Sequence, residues 1–180
     1  MMINAMDNVI DIGSMNDGPG ADLSNFCPYG FIIDDVFCAS MEGFLQALKF
    51  RNRDIQRQIC GLTGYKAKEI GKMENWQRHQ RLYWNGFEYP RQSSEYQTLL
   101  DRAYLELYKN DDFRKALDNT GNATFTHSIG RSRRSETVLT IEEFCHRLNW
   151  LRDIMRGVIE MPVIKPPVIY TIDIDVSELI

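Results

Sequence analysis

Glu42, Gln46, Lys49 and Arg53 recur at i, i+4, i+7 and i+11 in the run that starts at Ser40-Met41. On a helix, at about 100° per residue, these four side chains fall within an arc of roughly 60°. A carboxyl that can give or take a proton, an amide and an amine then share one narrow stripe, as a polar pocket needs. Met41, Phe44, Leu45 and Leu48 flank the stripe on one side, and Gly43, Ala47 and Phe50 on the other. A thin polar line between apolar or small neighbours fits an interior helix facing a cavity. Polar residues at this spacing also make ordinary solvated faces, so the pattern alone leaves both readings open.

The whole-chain balance excludes several classes. The chain has 180 residues, 43% of them hydrophobic and 26% charged, which suits one domain with a proper core. Its net charge of -4 gives no overall pull toward nucleic acid. The local exception is Arg131, Arg133 and Arg134, which are either phosphate contacts or an exposed basic loop. Cys27, Cys38, Cys60 and Cys145 lack paired spacing, and His79, His127 and His146 are scattered, so no metal site is expected. Four free thiols, with no membrane-length apolar run and no signal pattern, fit a soluble cytoplasmic protein.

The elements that must hold the stripe are legible in outline. Residues 7–13 read as a strand ending at glycine, and Gly18-Pro19-Gly20 as a loop. Phe31 to Phe37 reads as a hairpin around Asp34-Asp35. Ser40 suits the N-cap of the stripe helix. Further helices are expected over 54–60 and 65–70, from Ser94 to Tyr108, after Asp111, and after Thr140 with a capping box to Glu143. Trp76 to Trp84 carries Arg78, His79 and Arg81 among aromatics, before Gly86 and Pro90 break the chain. The domain is placed at 1–156. The proline-containing tail, 157–180, reads as a strand from Val168 to Val176 that adds to a sheet edge or pairs with a second copy in a homodimer.

Taken in order, several blocks resemble the NADAR family, also called YbiA-like. They are Leu23-Ser24-Asn25-Phe26, Ser40-x-Glu42, Gln46-Ala47-x-Lys49-Phe50 and Ala67-Lys68-x-x-Gly71. Trp84, Phe113-x-x-x-Leu117-x-x-Thr120-Gly121 and Leu148-x-x-Leu151-Arg152 continue the series. The resemblance implies a compact, predominantly helical α+β domain with a small β-sheet. It also implies an N-glycosidase that cleaves a ribose C1–N bond of an ADP-ribosyl or ribosyl-amine substrate, such as ADP-ribosylated guanine on DNA or RNA, without cofactor or metal. Glu42 matches the family's catalytic glutamate, Lys49 the lysine of its motif, and Trp84 its pocket tryptophan. Ser24, Asn25, Phe26, Gln46 and Lys68 fall on its substrate-binding blocks.

The chain departs from the family at residues 127–141, where the usual Asp-x-x-Trp-Gly and Asn-x-Leu-Gly segments are replaced. Half of the site and the leaving group therefore stay open, and a non-catalytic ADP-ribose or nucleotide-binding module is the alternative. The chemistry the residues support is nonetheless concrete. A carboxyl at Glu42 can protonate a leaving nitrogen or steady a cationic sugar. Lys49, as a free amine, can form a Schiff base, a state that burial and a neighbouring Arg53 would promote. Lys49 can equally pair with Glu42 or a phosphate, and Trp84 can stack on a base or serve as core.

Overall fold

The computed structural model describes residues 8–168. In chain order it contains β1 (Val9–Asp11), α1 (Pro19–Asp22), β2 (Phe31–Ile33), β3 (Val36–Cys38), α2 (Met41–Ala47), α3 (Arg53–Cys60) and α4 (Gly64–Gly71). A 3₁₀ turn (Trp76–Arg78) leads to β4 (Arg81–Trp84), β5 (Phe87–Pro90), α5 (Ser94–Tyr108), α6 (Asp111–Asp118), β6 (Thr124–Thr126) and α7 (Ile141–Met155). Helices dominate, giving the expected α+β class. Among the described residues, the strands form three separate two-stranded pairs rather than one sheet.

Local chemistry accounts for most boundaries. Ser40, Asn52, Ser93, Asn110 and Thr140 each accept a backbone N–H of the helix they precede. Each such cap is worth about 1 kcal/mol. Thr140 and Glu143 complete the expected capping box. The β2–β3 hairpin turns at Asp34 and Asp35, with φ of 49° and 62°. A second hairpin, β4–β5, turns at Asn85-Gly86. Asn-Gly is the strongest two-residue hairpin signal, and it forms a hairpin here where only a break at Gly86 and Pro90 is expected. Gly18 to Gly20 is expected as loop, but Gly18 caps the single turn of α1 and Pro19 and Gly20 lie within it.

The longest-range pairing is parallel: β1 lies against β6, with Asp11 opposite Thr126. The sequence predicts β1 but not β6. A three-residue strand has almost no signature of its own, and only its partner fixes it.

At the centre lies α2, buried at every one of its seven positions. A β-carbon on Gly43 would meet the carbonyl oxygens of Leu62 and Cys60 at 2.6 and 3.0 Å, so the end of α3 packs directly on the α2 backbone. Phe44 meets Trp84 edge-to-face, with ring centroids 4.9 Å apart. Two buried arginines tie the far side together. Arg91 grips Glu143 at 3.1 and 2.7 Å. Arg152 donates to the carbonyls of Gly121 and Ala123 at 3.1 and 2.8 Å. The Thr120-Gly121 and Leu151-Arg152 blocks therefore meet as a structural staple.

After α7 the chain continues without regular structure along α5, where Ile164 packs on the core. Most of the strand expected over Val168 to Val176 lies outside the described residues.

Candidate active site

The short length of α2 cuts the expected stripe. The helix ends at Ala47, Leu48 is its cap, and Arg53 already opens α3. Glu42, Gln46 and Lys49 all line one cavity of about 250 Å³. Arg53 does not: it is exposed and donates to Asn85 Oδ1 at 2.6 Å.

Glu42 sits in the first turn of α2, only 8% exposed. Its backbone N–H donates to the Asn25 carbonyl at 2.9 Å, which staples the Ser24-Asn25 loop onto the helix start. Tyr104, fully buried, donates its hydroxyl to Asn25 Oδ1 at 3.0 Å. That bond fixes the amide and leaves its NH₂ as the donor available to a ligand. Gln46 Nε2 donates to Glu42 Oε1 at 2.8 Å. Burial raises the pKa of Glu42, against the opposing pull of Gln46, Lys68 and Lys49. The carboxyl therefore keeps a proton at a higher pH than a free glutamate would.

Lys49 donates from Nζ to the Gly71 carbonyl at 3.2 Å, at the end of α4. Burial lowers its pKa to about 8, with Glu42 opposing and Lys68 assisting. The expected influence of Arg53 is absent, because Arg53 points elsewhere and Lys68 is the neighbouring cation.

The opposite wall is the segment that departs from the family pattern. His127, Ile129, Gly130, Arg131 and Glu136 to Leu139 all line the main cavity. A smaller lobe of about 110 Å³ adjoins it and shares Asn25, Glu42, Lys68, His127 and Ile129 with it. Ile12, Ser14, Ser24, Phe26 and Phe144 complete that lobe. The wall is firmly held. Arg91 Nε bonds the Thr137 carbonyl at 2.8 Å, Tyr96 the Val138 carbonyl at 2.7 Å, and the Ile141 N–H the Arg131 carbonyl at 3.0 Å. Lys49, Lys68, Lys72 and Arg131 outnumber Glu42 and Glu136 around the main cavity, which suits an anionic ligand.

The remaining expected residues divide. Ser24 accepts from the Phe26 N–H at 3.2 Å, so it makes turn chemistry and lines the smaller lobe at once. Lys68 lines both lobes, with Nζ 5.4 Å from the Phe26 ring centroid. Of the three loop arginines, only Arg131 lines the cavity. Arg133 pairs with Glu136, and Arg134 with Glu143 at 3.0 Å. Trp84 is core: it is 1% exposed, bonds Asp34 Oδ2 at 2.8 Å, and lies apart from both lobes. The tryptophan lining the main cavity is Trp76. Lys72, Trp76 and His127 line the cavity without belonging to any expected site block; the place of His127 depends on the β1–β6 pairing rather than on any sequence spacing.

Among solved structures, the chain resembles the NMR structure of the E. coli protein YbiA. The TM-score is 0.56 at 17% identity, covering 87% of this chain and 90% of that one. This defines a YbiA-like α+β domain, the fold that the ordered sequence blocks implied. Among curated proteins, it is 36% identical over 138 residues to the uncharacterized 17.1 kDa protein in the Gp30-rIII intergenic region of Enterobacteria phage T4, covering 75% of this chain and 91% of that protein. The chain belongs to the bacteriophage protein GP30.3 family, whose model matches residues 18–153.

Proposed function

We propose that the protein is an N-glycosidase that hydrolyses a ribose C1–N bond in an ADP-ribosyl or ribosyl-amine substrate, such as ADP-ribosylated guanine in nucleic acid. One observation carries this reading. A buried carboxyl with a raised pKa stands where two lobes of a cation-rich cleft join, beside an amine with a lowered one. Pairs of groups whose surroundings push their proton affinities away from ordinary values mark acid–base sites.

In this reading the larger lobe takes the phosphates on Lys68, Lys72 and Arg131, and C1 lies beside Glu42. Cleavage leaves positive character on the sugar and a pair of electrons on the departing nitrogen. Glu42, whose proton burial makes harder to lose, gives that nitrogen its proton. The NH₂ of Asn25 and the hydroxyl of Ser24 supply hydrogen bonds to the sugar. The lowered pKa of Lys49 favours a covalent variant of the same route: its neutral amine adds to C1 of the opened sugar, the base departs with the bonding pair and a proton to leave a Schiff base, and water then hydrolyses it.

The test is release of ADP-ribose from a guanine-ADP-ribosylated oligonucleotide. Glu42→Gln is expected to lower turnover by about 10²–10⁴-fold with binding retained. Full activity in that variant removes the assignment. Binding by the native protein without release points instead to a nucleotide-binding module.

A further inference from the structure

We infer that His127 is the base that activates water in this site. The inference rests on the hydrolase reading above and adds a residue that none of the family-like blocks contains. His127 follows directly on β6, and the parallel pairing with β1 carries it beside Ile12. The Ile12 N–H donates to the Thr126 carbonyl at 2.8 Å, and His127 Nδ1 lies 2.6 Å from the Ile12 carbonyl. A carbonyl oxygen only accepts, so Nδ1 carries the hydrogen and the neutral ring presents a lone pair on Nε2.

The rest of the ring is fenced. Phe144 of α7 meets it edge-on, with centroids 5.3 Å apart and planes at 89°. On the other edge, Cδ2 lies 2.5 Å from where a β-carbon on Gly130 would stand. Nε2 has no hydrogen-bond partner among the described residues, and it is not among the sealed polar atoms. His127 and Glu42 both line both lobes of the cleft. The cleft thus offers a proton donor on α2 and, just after β6, a proton acceptor whose ring is held by its other nitrogen.

The step balances. A water oxygen forms its bond to C1, and the electron pair of the bond breaking there moves onto nitrogen. Nε2 takes one proton from that water. In direct hydrolysis the nitrogen leaves with the proton of Glu42. In the covalent variant the nitrogen is Nζ of Lys49: water adds to C1 as the pair of the C=N double bond moves onto nitrogen, and the carbinolamine then gives up its hydroxyl proton as the remaining C–N bond breaks and the protonated amine leaves. The imidazolium then returns its proton to solvent or to the released amine.

Three proteins assayed on a guanine-ADP-ribosylated oligonucleotide test this. Wild type is expected to release ADP-ribose, and His127→Gln to do so about 10²–10⁴-fold more slowly at unchanged binding. His127→Ala is expected to recover part of its rate with added imidazole, which a purely structural role would not allow. A rate for His127→Gln within about threefold of wild type overturns the base role alone. No release by wild type overturns the hydrolase reading and the base role with it. Carbethoxylation of the wild-type protein gives a readout free of folding effects. Modification at His127, mapped by peptide mass, is expected to abolish the rate and to be blocked by ADP-ribose. Modified His127 with rate intact, or His127 that resists the reagent, overturns the assignment.

Discussion

The Gln46 carboxamide fills the space where a β-carbon on Gly71 would stand. Its Oε1 is buried against that glycine with no hydrogen-bond partner, while its Nε2 holds Glu42. On the other side of Gly71, the carbonyl accepts from Lys49 Nζ. Two sequence blocks, Gln46-Ala47-x-Lys49 and Ala67-Lys68-x-x-Gly71, therefore meet at one residue that has no side chain to spare. The spacing in each block records this contact.

Gly71→Ala follows as the sharpest structural prediction. The added methyl must push Gln46 aside, which overpacks a buried contact and costs about 1–3 kcal/mol. Because Gln46 also orients Glu42, ADP-ribose binding by calorimetry should weaken together with the melting temperature. Unchanged melting and unchanged binding would remove the contact as a determinant.

Glu42→Gln should separate stability from activity. Burial raises the Glu42 pKa in the folded state, so the native protein holds that proton more tightly than the unfolded chain does. Native stability therefore falls as pH rises from the ordinary carboxylate range through the raised value. The glutamine variant lacks this loss. Its melting temperature should equal or exceed that of wild type at neutral and alkaline pH, with the gap closing toward acid. Each 1 kcal/mol corresponds to about 2–4 °C at this chain length. A variant less stable than wild type at alkaline pH would contradict the burial argument.

Lys49 should be trapped by borohydride during turnover, giving a mass increase on the peptide that contains it. The yield should rise with pH through about 8, because only the neutral amine adds to a carbonyl. Turnover with no adduct on Lys49 would leave direct attack by water as the route.

Tryptophan fluorescence should report Trp76. ADP-ribose binding is expected to change the emission of wild type and of Trp84→Phe, but not of Trp76→Phe. Trp84→Phe should instead lose about 1–3 kcal/mol of stability, since it breaks the bond to Asp34 and leaves that carboxylate oxygen without its donor. Retained ligand response in Trp76→Phe would place the ligand elsewhere.

Much of the frame was legible in the sequence. Ser40 and Thr140 cap the helices they precede, since a cap is a contact within one turn. The acidic turn at Asp34-Asp35 and the long apolar periodicity of α5 are local for the same reason. The Asn85-Gly86 hairpin was equally local and was overlooked. Extending the helical spacing past Ala47 misled: the chain turns at Leu48 to Asn52, so Arg53 leaves the row it shared on paper. Trp84 shows the same limit, because an isolated tryptophan gives no sign of whether it will meet a ligand or, as here, Phe44 and Asp34.

By itself the sequence determined which short segments form helices and turns, and that Glu42, Gln46 and Lys49 lie near one another, because those facts span only a turn or two of backbone. The tertiary structure alone decided the other half of the cleft. His127 reaches it through the pairing of two three-residue strands far apart in the chain, and Thr137 and Val138 are held there by Arg91 and Tyr96. Only packing could choose Trp76 over Trp84, and Arg131 over Arg133 and Arg134, since burial and partners are properties of the assembled core and not of any residue's type.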